Sequence, residues 1–234
     1  MNADNPKGYE NPDLLWMPTQ LNERMGDPNL RIIDTRPGER FAMGHIPGAR
    51  HFNVYAINCD DSDEAPLMSF LRMWAFLLGN RGVSFENTIV FYDDRVGNTC
   101  VRGFWFLELF GHGDVHVLDG GYGGWERAGL ATTRDSEPLK AANFEFNLQR
   151  DRIATYKDVL AAIEDDDHVL LDTRTEGEWL GTEARAKRGG ALPGAVWQEW
   201  LAHLTPEGEM KPASELRAQF EAIGVTPEKE VTAY

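Results

Sequence analysis

Two successive copies of one α/β domain, each a parallel sheet covered by helices on both faces, are what this sequence predicts. Three observations carry that expectation. Short β-branched or apolar runs alternate with apolar segments of helical length, the pattern of parallel strands joined by crossover helices. Three sequence blocks occur twice, in the same order. The hydrophobic share of 42%, with 11% aromatic residues, is ample for buried cores and excludes a disordered chain.

In the first copy, 30–33 is an apolar run that ends in Asp34-Thr35-Arg36-Pro37, a buried strand entering a loop. Residues 70–78 are apolar and long enough for a core helix, with Gly79-Asn80 as its stop. Thr88–Tyr92 is β-branched and aromatic, a central strand. The polar loop 93–98 leads into an apolar helix over 100–110, and 115–118 is a further strand ending at Asp119-Gly120-Gly121. A short helix over 124–128 closes the copy, with Gly129 as its cap. In the second copy, 215–223 reads as a helix with Ser214 as N-cap and Gly224 as C-cap.

The repeat sets the domain plan. Asp34-Thr35-Arg36 returns as Asp172-Thr173-Arg174, and Gly44-His45-Ile46-Pro47-Gly48-Ala49 as Gly190-Ala191-Leu192-Pro193-Gly194-Ala195. The stretch from Gly82 through Tyr92 returns from Gly224 through Tyr234. A spacing of about 140 residues means a duplicated domain, because solenoid periods lie at roughly 20–50. The expected boundaries are 1–131 for the first domain, 132–150 for a polar linker and 151–234 for the second. The second copy carries additional residues within 181–189, and insertions of that kind belong to surface connections.

Charge narrows the function classes. With 23 Lys and Arg against 38 Asp and Glu, the formal net charge is −15. That balance argues against nucleic acid and anionic membranes as partners, since both need a basic face. Cys59 and Cys100 are the only cysteines, too few for a disulfide scaffold or a cysteine zinc cluster. The start has neither a basic nor an apolar signal region, and no apolar run reaches the roughly 18 residues of a membrane helix. The expectation is a soluble, cytoplasmic protein with no cofactor and no metal.

Ligands of open α/β sheets bind at the carboxyl ends of the strands. The loop Asp93-Asp94-Arg95-Val96-Gly97-Asn98 lies there, before a helix N-terminus whose free N–H groups favour an anion or a thiolate. An ordinary connecting loop is the alternative. Asp-Thr-Arg, Gly-His-Ile-Pro-Gly-Ala, a strand ending in Tyr92, and Leu118-Asp119-Gly120-Gly121-Tyr122-Gly123-Gly124-Trp125 together resemble the rhodanese family. Two such copies, spanning nearly the whole chain, resemble its tandem-domain thiosulfate and mercaptopyruvate sulfurtransferases, and the bacterial thiosulfate enzymes among them.

The resemblance implies a nucleophilic cysteine directly after the central strand. It takes a sulfane sulfur as a persulfide and passes it from a small anionic donor to a thiophilic acceptor such as cyanide or a thiol. Converging loop N–H groups suit that chemistry because they favour a thiolate and hold the anionic persulfide. In the first copy the position after Tyr92 is Asp93, which cannot carry transferable sulfur, so Asp93 marks an inactive counterpart. In the second copy the cysteine is expected directly after Tyr234, followed by roughly 37 further residues that complete the α/β layering. No catalytic residue is therefore expected within the 234 residues.

Arg174, Lys187 and Arg188 are the candidate substrate-binding residues. Arg174 also reads as half of a strand-end ion pair with Asp172, as Arg36 does with Asp34. Arg185, Lys187 and Arg188 form the one basic cluster of the insertion and could draw an anion inward, or be a solvated loop. In mercaptopyruvate-specific relatives the resemblance places an arginine where Glu178 stands, which disfavours that donor. Cys100, among apolar helix neighbours, reads as a buried hydrophobe, and Cys59 lies in an acidic stretch unsuited to a nucleophilic anion. His45 reads as structural, and Trp74, Trp105, Trp125, Trp179, Trp197 and Trp200 as packing residues. Two other readings remain open: a non-catalytic binding or regulatory module, and a phosphatase on the related fold. The short loop 93–98 leans away from the phosphatase.

Overall fold

The computed structural model describes residues 5–234, and the chain divides into two compact units. The first comprises Asn11–Ile153 together with Pro206–Met210. Its elements are β1 (Leu15–Trp16), α1 (Pro18–Glu23), β2 (Leu30–Asp34), α2 (Gly38–Met43), β3 (Arg50–His51), α3 (Glu64–Asn80), β4 (Thr88–Tyr92), α4 (Asn98–Leu109), β5 (Val115–Leu118) and α5 (Gly121–Arg127). The five strands form one sheet in the order β1-β5-β4-β2-β3, and every pairing is parallel.

β4 occupies the centre, with Ile33 beside Phe91 and Asp34 beside Tyr92 in register. Ile89, Val90, Phe91 and Tyr92 are all fully buried. A strand covered on both faces has no solvent side to signal by alternation, so it reads as a continuous apolar run. That is why Thr88–Tyr92 was recognisable at its full length. The carboxyl ends of β2 and β4 therefore lie side by side, and the loops that leave them meet.

α3 starts six residues before the apolar run that predicts it. Its first turn, Glu64-Ala65-Pro66, carries no core residue, and proline is accommodated there because first-turn N–H groups have no helical acceptor. Gly79 and Asn80 lie inside its last turn, and the chain leaves the helix at Arg81. Residues 132–153 belong to this first unit. Ala142 N–H donates to Gly79 O at 2.9 Å, Asn147 N–H to Phe110 O at 3.0 Å and Gln149 N–H to Leu109 O at 2.8 Å. Phe146 packs its ring 4.5 Å from that of Phe110. The segment is an extended strap laid across the body.

The second unit comprises Ala154–Thr205 and Lys211–Tyr234 with N-terminal residues 5–10. It contains α6 (Tyr156–Ala162), β6 (His168–Asp172), α7 (Glu176–Leu180), β7 (Val196–Trp197), α8 (Ala213–Ala222) and β8 (Glu230–Ala233). Its sheet has the order β7-β6-β8, again all parallel. The order matches β3-β2-β4 of the first unit, so the sequence repeat is a structural repeat. Ser214 lies inside α8, whose N-cap position is Pro212 with no side-chain cap, and this corrects the expected Ser214 cap. Thr155 and Thr175 are side-chain caps instead, each accepting from the N–H three residues on and closing a capping box with Asp158 and Glu178. Among the described residues, no helix is long and apolar enough to cross a membrane.

Candidate active site

The carboxyl edge of the first sheet is organised by a buried ion pair. Arg36 Nη2 lies 2.6 Å from Asp34 Oδ2, with side chains 2% and 0% exposed. Arg36 Nη2 also donates to Gly44 O at 2.8 Å, and the guanidinium stacks 3.8 Å over the Tyr122 ring. Burial alone would lower the Arg36 pKa, but the hydrogen bonds and charge of Asp34 raise it, so the pair stays ionised. Tyr92 Oη donates to Asp34 Oδ2 at 2.5 Å and accepts from Ile46 N–H at 3.3 Å. Burial first, then the Asp34 charge, hold the Tyr92 phenol well above its ordinary pKa, which keeps it a donor. Thr35 ties the strand end itself: its N–H and its hydroxyl both donate to Tyr92 O, each at 2.9 Å.

The second unit repeats most of this constellation. Arg174 Nε donates to Asp172 Oδ1 at 2.9 Å and its Nη2 to Gly190 O at 3.0 Å. Leu192 N–H donates to Tyr234 Oη at 3.0 Å, as Ile46 does to Tyr92. Thr173 gives its N–H (3.0 Å) and hydroxyl (2.9 Å) to Tyr234 O. Trp197 Nε1 donates to Arg174 O at 3.0 Å, where His51 Nε2 meets Arg36 O at 2.8 Å. Burial would raise the Asp172 pKa, yet the hydrogen bonds from Arg174 outweigh it and hold the carboxyl below its usual range. The difference between the copies is exposure: the Arg174 side chain is 31% exposed where Arg36 is closed in.

Beyond Tyr92 the chain enters the loop 93–98. Thr99 Oγ1 donates to Asp93 Oδ2, and Asp94 N–H donates to Asp93 Oδ1 at 2.7 Å. Burial raises the Asp93 pKa, and those two hydrogen bonds pull against it. Tyr122 N–H donates to Asp93 O at 2.8 Å and Gly123 N–H to Asp94 O at 2.9 Å. Val96 N–H donates to Gly208 O at 3.0 Å, in the short segment Pro206–Met210 that belongs to this unit. The site thus has a carboxylate at the mouth of a loop held on several sides, and a carboxylate carries no sulfur.

The remaining candidates fall as follows. Arg174 has its Nε and Nη2 engaged within the motif. Lys187 and Arg188 are exposed on the insertion. Arg185 Nε lies 2.9 Å from Glu178 Oε1, tying the insertion to α7. His45 is buried, stacked 3.8 Å from Phe41, with its ring nitrogens facing the carbonyls of Phe41 and Asp135. Tyr92 and Tyr234 emerge as organising residues whose role sequence reading missed. The available signal was that each closes the third repeated block.

Cys100 is fully buried in the first turn of α4, where Gly97 N–H donates to its sulfur at 3.3 Å. Burial pushes its thiol up to about 12. Of Cys59 and Cys100, a disulfide-exchange reagent at pH 8 is therefore expected to label only the exposed Cys59 in the folded chain, and both after unfolding in denaturant. Labelling of Cys100 itself in the native protein, located by peptide mapping, would contradict this account.

A parallel sheet whose strand ends carry this duplicated Asp-Thr-Arg and tyrosine clamp defines a fold class, and the comparisons identify it: the chain belongs to the rhodanese family. The family's Rhodanese-like domain matches residues 17–128. A thiosulfate sulfurtransferase of Pseudomonas aeruginosa is 30% identical over 221 residues, covering 94% of this chain and 82% of that protein. The crystal structure of SseA from Escherichia coli, described as a 3-mercaptopyruvate sulfotransferase with the rhodanese fold, superposes with a TM-score of 0.82. It is 27% identical and covers 94% of this chain and 87% of its own. A complex of EanB with hercynine shares the fold at a TM-score of 0.83 and 19% identity, and this chain spans 60% of it.

Proposed function

We propose that this chain serves a sulfurtransferase that takes a sulfane sulfur from thiosulfate, or a similar small anionic donor, and gives it to a thiophilic acceptor such as cyanide or a thiol. The reading places the repeats at 1–131 and 151–234, joined by 132–150, and the protein in the cytoplasm. The carrier is a cysteine directly after Tyr234. Its thiolate attacks the outer sulfur of thiosulfate, the S–S bond breaks, and sulfite leaves with the electron pair. The acceptor then attacks the persulfide and restores the thiolate. One observation carries the reading: the Asp172, Thr173, Arg174 and Tyr234 clamp repeats the clamp that holds Asp93 at the first loop mouth, so the residue after Tyr234 occupies the corresponding place. Glu178 and its partner Arg185, where mercaptopyruvate-specific relatives place an arginine, favour thiosulfate.

In this reading Arg174 positions the strand end and contributes positive charge to the site, while Lys187 and Arg188 act on encounter. Exposed charges contribute about 0.5 kcal/mol each. Neutralising both is thus expected to raise KM for thiosulfate about fivefold at low ionic strength, with kcat unchanged and the effect fading in salt. An unchanged KM at low salt would make them a solvated loop only.

Peptide mass mapping of the full-length protein after thiosulfate treatment tests the proposal. A gain of about 32 Da, one sulfur atom, is expected on the cysteine after Tyr234 and is reversed by cyanide. Replacing that cysteine by serine should abolish transfer, and Cys100→Ser should leave it intact. Sulfur loaded elsewhere would overturn the assignment of the carrier, and none loaded at all would overturn the reading in favour of a non-catalytic binding module.

A further inference from the structure

Away from the strand ends, α3 and the strap border an open groove of about 700 Å³. One wall is a stripe of Arg72, Phe76 and Asn80, spaced four residues apart on one helix face. The other is the main chain of residues 141–146. At 1.5 Å per residue the stripe is about 12 Å long, with a cation at one end, an aromatic ring in the middle and an amide at the other.

The strap wall is fixed. Ala142 N–H is bonded to Gly79 O, and a side chain at Gly79 would meet Ala142 O at 2.7 Å, so glycine is what allows this approach. The next main-chain tie among the described residues is Asn147 to Phe110 O. Main-chain groups between these ties are available along the groove. The volume lies within the roughly 300–1,000 Å³ of preformed small-molecule sites.

What marks this groove is that an uncommitted arginine, Arg72, stands on its wall beside an exposed ring. Other arginines of the first unit are committed: Arg50 and Arg31 to Gly82 O, Arg81 to His51 O, Arg102 to Ile57 O and Arg152 to Glu108. Arg72 makes no hydrogen bond, ion pair or ring contact among the described residues. Phe76, one turn on, is 68% exposed. The Glu145 carboxylate in the opposite wall already accepts from Asn143 Nδ2 at 2.9 Å. An uncommitted cation beside an exposed ring complements a ligand with an anionic head and an apolar body.

The geometry points to this groove as a binding site for a small amphipathic anion: a carboxylate or sulfonate on an aromatic or aliphatic body about 10–12 Å long, with a hydrogen-bonding group that reaches Asn80. The brevity of both walls, two helical turns and six strap residues, suits a small molecule over a peptide or protein. Because the whole chain carries −15, attraction has to arise at contact with Arg72; long-range steering is unfavourable.

The probe is 8-anilinonaphthalene-1-sulfonate, titrated into the full-length protein and read by its fluorescence. Saturable single-site binding is expected. Arg72→Glu should raise Kd about tenfold or more, Phe76→Ser about fivefold, and Arg72→Lys less than either. Arg217→Ala, an exposed arginine on α8, should change nothing. Both groove positions are exposed, so an unchanged melting temperature is expected and confirms an intact fold. Absence of saturable binding, or a Kd indifferent to Arg72→Glu, overturns the inference. Loss of affinity with Phe76→Ser alone also overturns it, because it leaves an apolar patch with no anion specificity.

Discussion

Asp34→Ala is expected to destabilise the first unit by about 3–5 kcal/mol, the cost of leaving one partner of a buried pair uncompensated. The Arg36 guanidinium has almost no access to water, and its remaining partners are the Gly44 carbonyl, the Tyr122 ring and Asp94, 3.6 Å away. The same change also strands the Tyr92 hydroxyl, which now donates to Asp34. Asp172→Ala removes the corresponding carboxylate from a guanidinium that solvent already reaches, so its cost should be clearly smaller. Hydrogen exchange of the β4 amides reports on the first unit alone and is preferable to a single melting curve, since a chain with two units need not unfold in one step. Equal losses at the two sites would show that solvent access does not set the difference.

Gly121→Ala is expected to cost about 3 kcal/mol, summing overpacking and a left-handed backbone. Gly121 has φ +56°, and a side chain there would meet Asp93 O at 2.4 Å and Arg95 N at 2.7 Å. Those obstacles are main chain, which cannot rotate aside as a side-chain tip does. The strain falls on the loop 93–98, so proteolysis within that loop should accelerate in step with the loss of stability. Gly113→Ala is the control, because a side chain there meets nothing within 4 Å. A variant at Gly121 as stable as that control would mean that the loop yields freely.

Much of this could be read from the residues. Buried strands such as Thr88–Tyr92 and Val115–Leu118 announce themselves by apolar composition, and the repeated blocks correspond to matching strands of the two units. The first turn of α3 was hidden, because polar residues before an apolar run are compatible with either loop or helix. Ser214 is not the cap because Pro212 occupies the N-cap position of α8, leaving Ser214 in its first turn. The roles of Tyr92 and Tyr234 were hidden for another reason: hydrogen bonds from a strand end to a neighbouring strand's carboxylate depend on register, which sequence spacing does not display. Glu178 and Arg185 meet only because the insertion folds back on α7.

The clamp at the strand ends also bears on how such a duplicated protein diverges. Asp34, Thr35, Arg36 and Tyr92 bond to one another and to main chain, and none of these contacts requires a particular residue at position 93. Selection for a folded first half therefore preserves the four residues whether or not any reaction occurs beside them. In the proposed reading one codon, at position 93, separates a working half from a silent one, while erasing the architecture takes several costly steps. Inactive halves should accordingly be easy to reach and slow to decay, and a motif search keyed on Asp-Thr-Arg will count them as active.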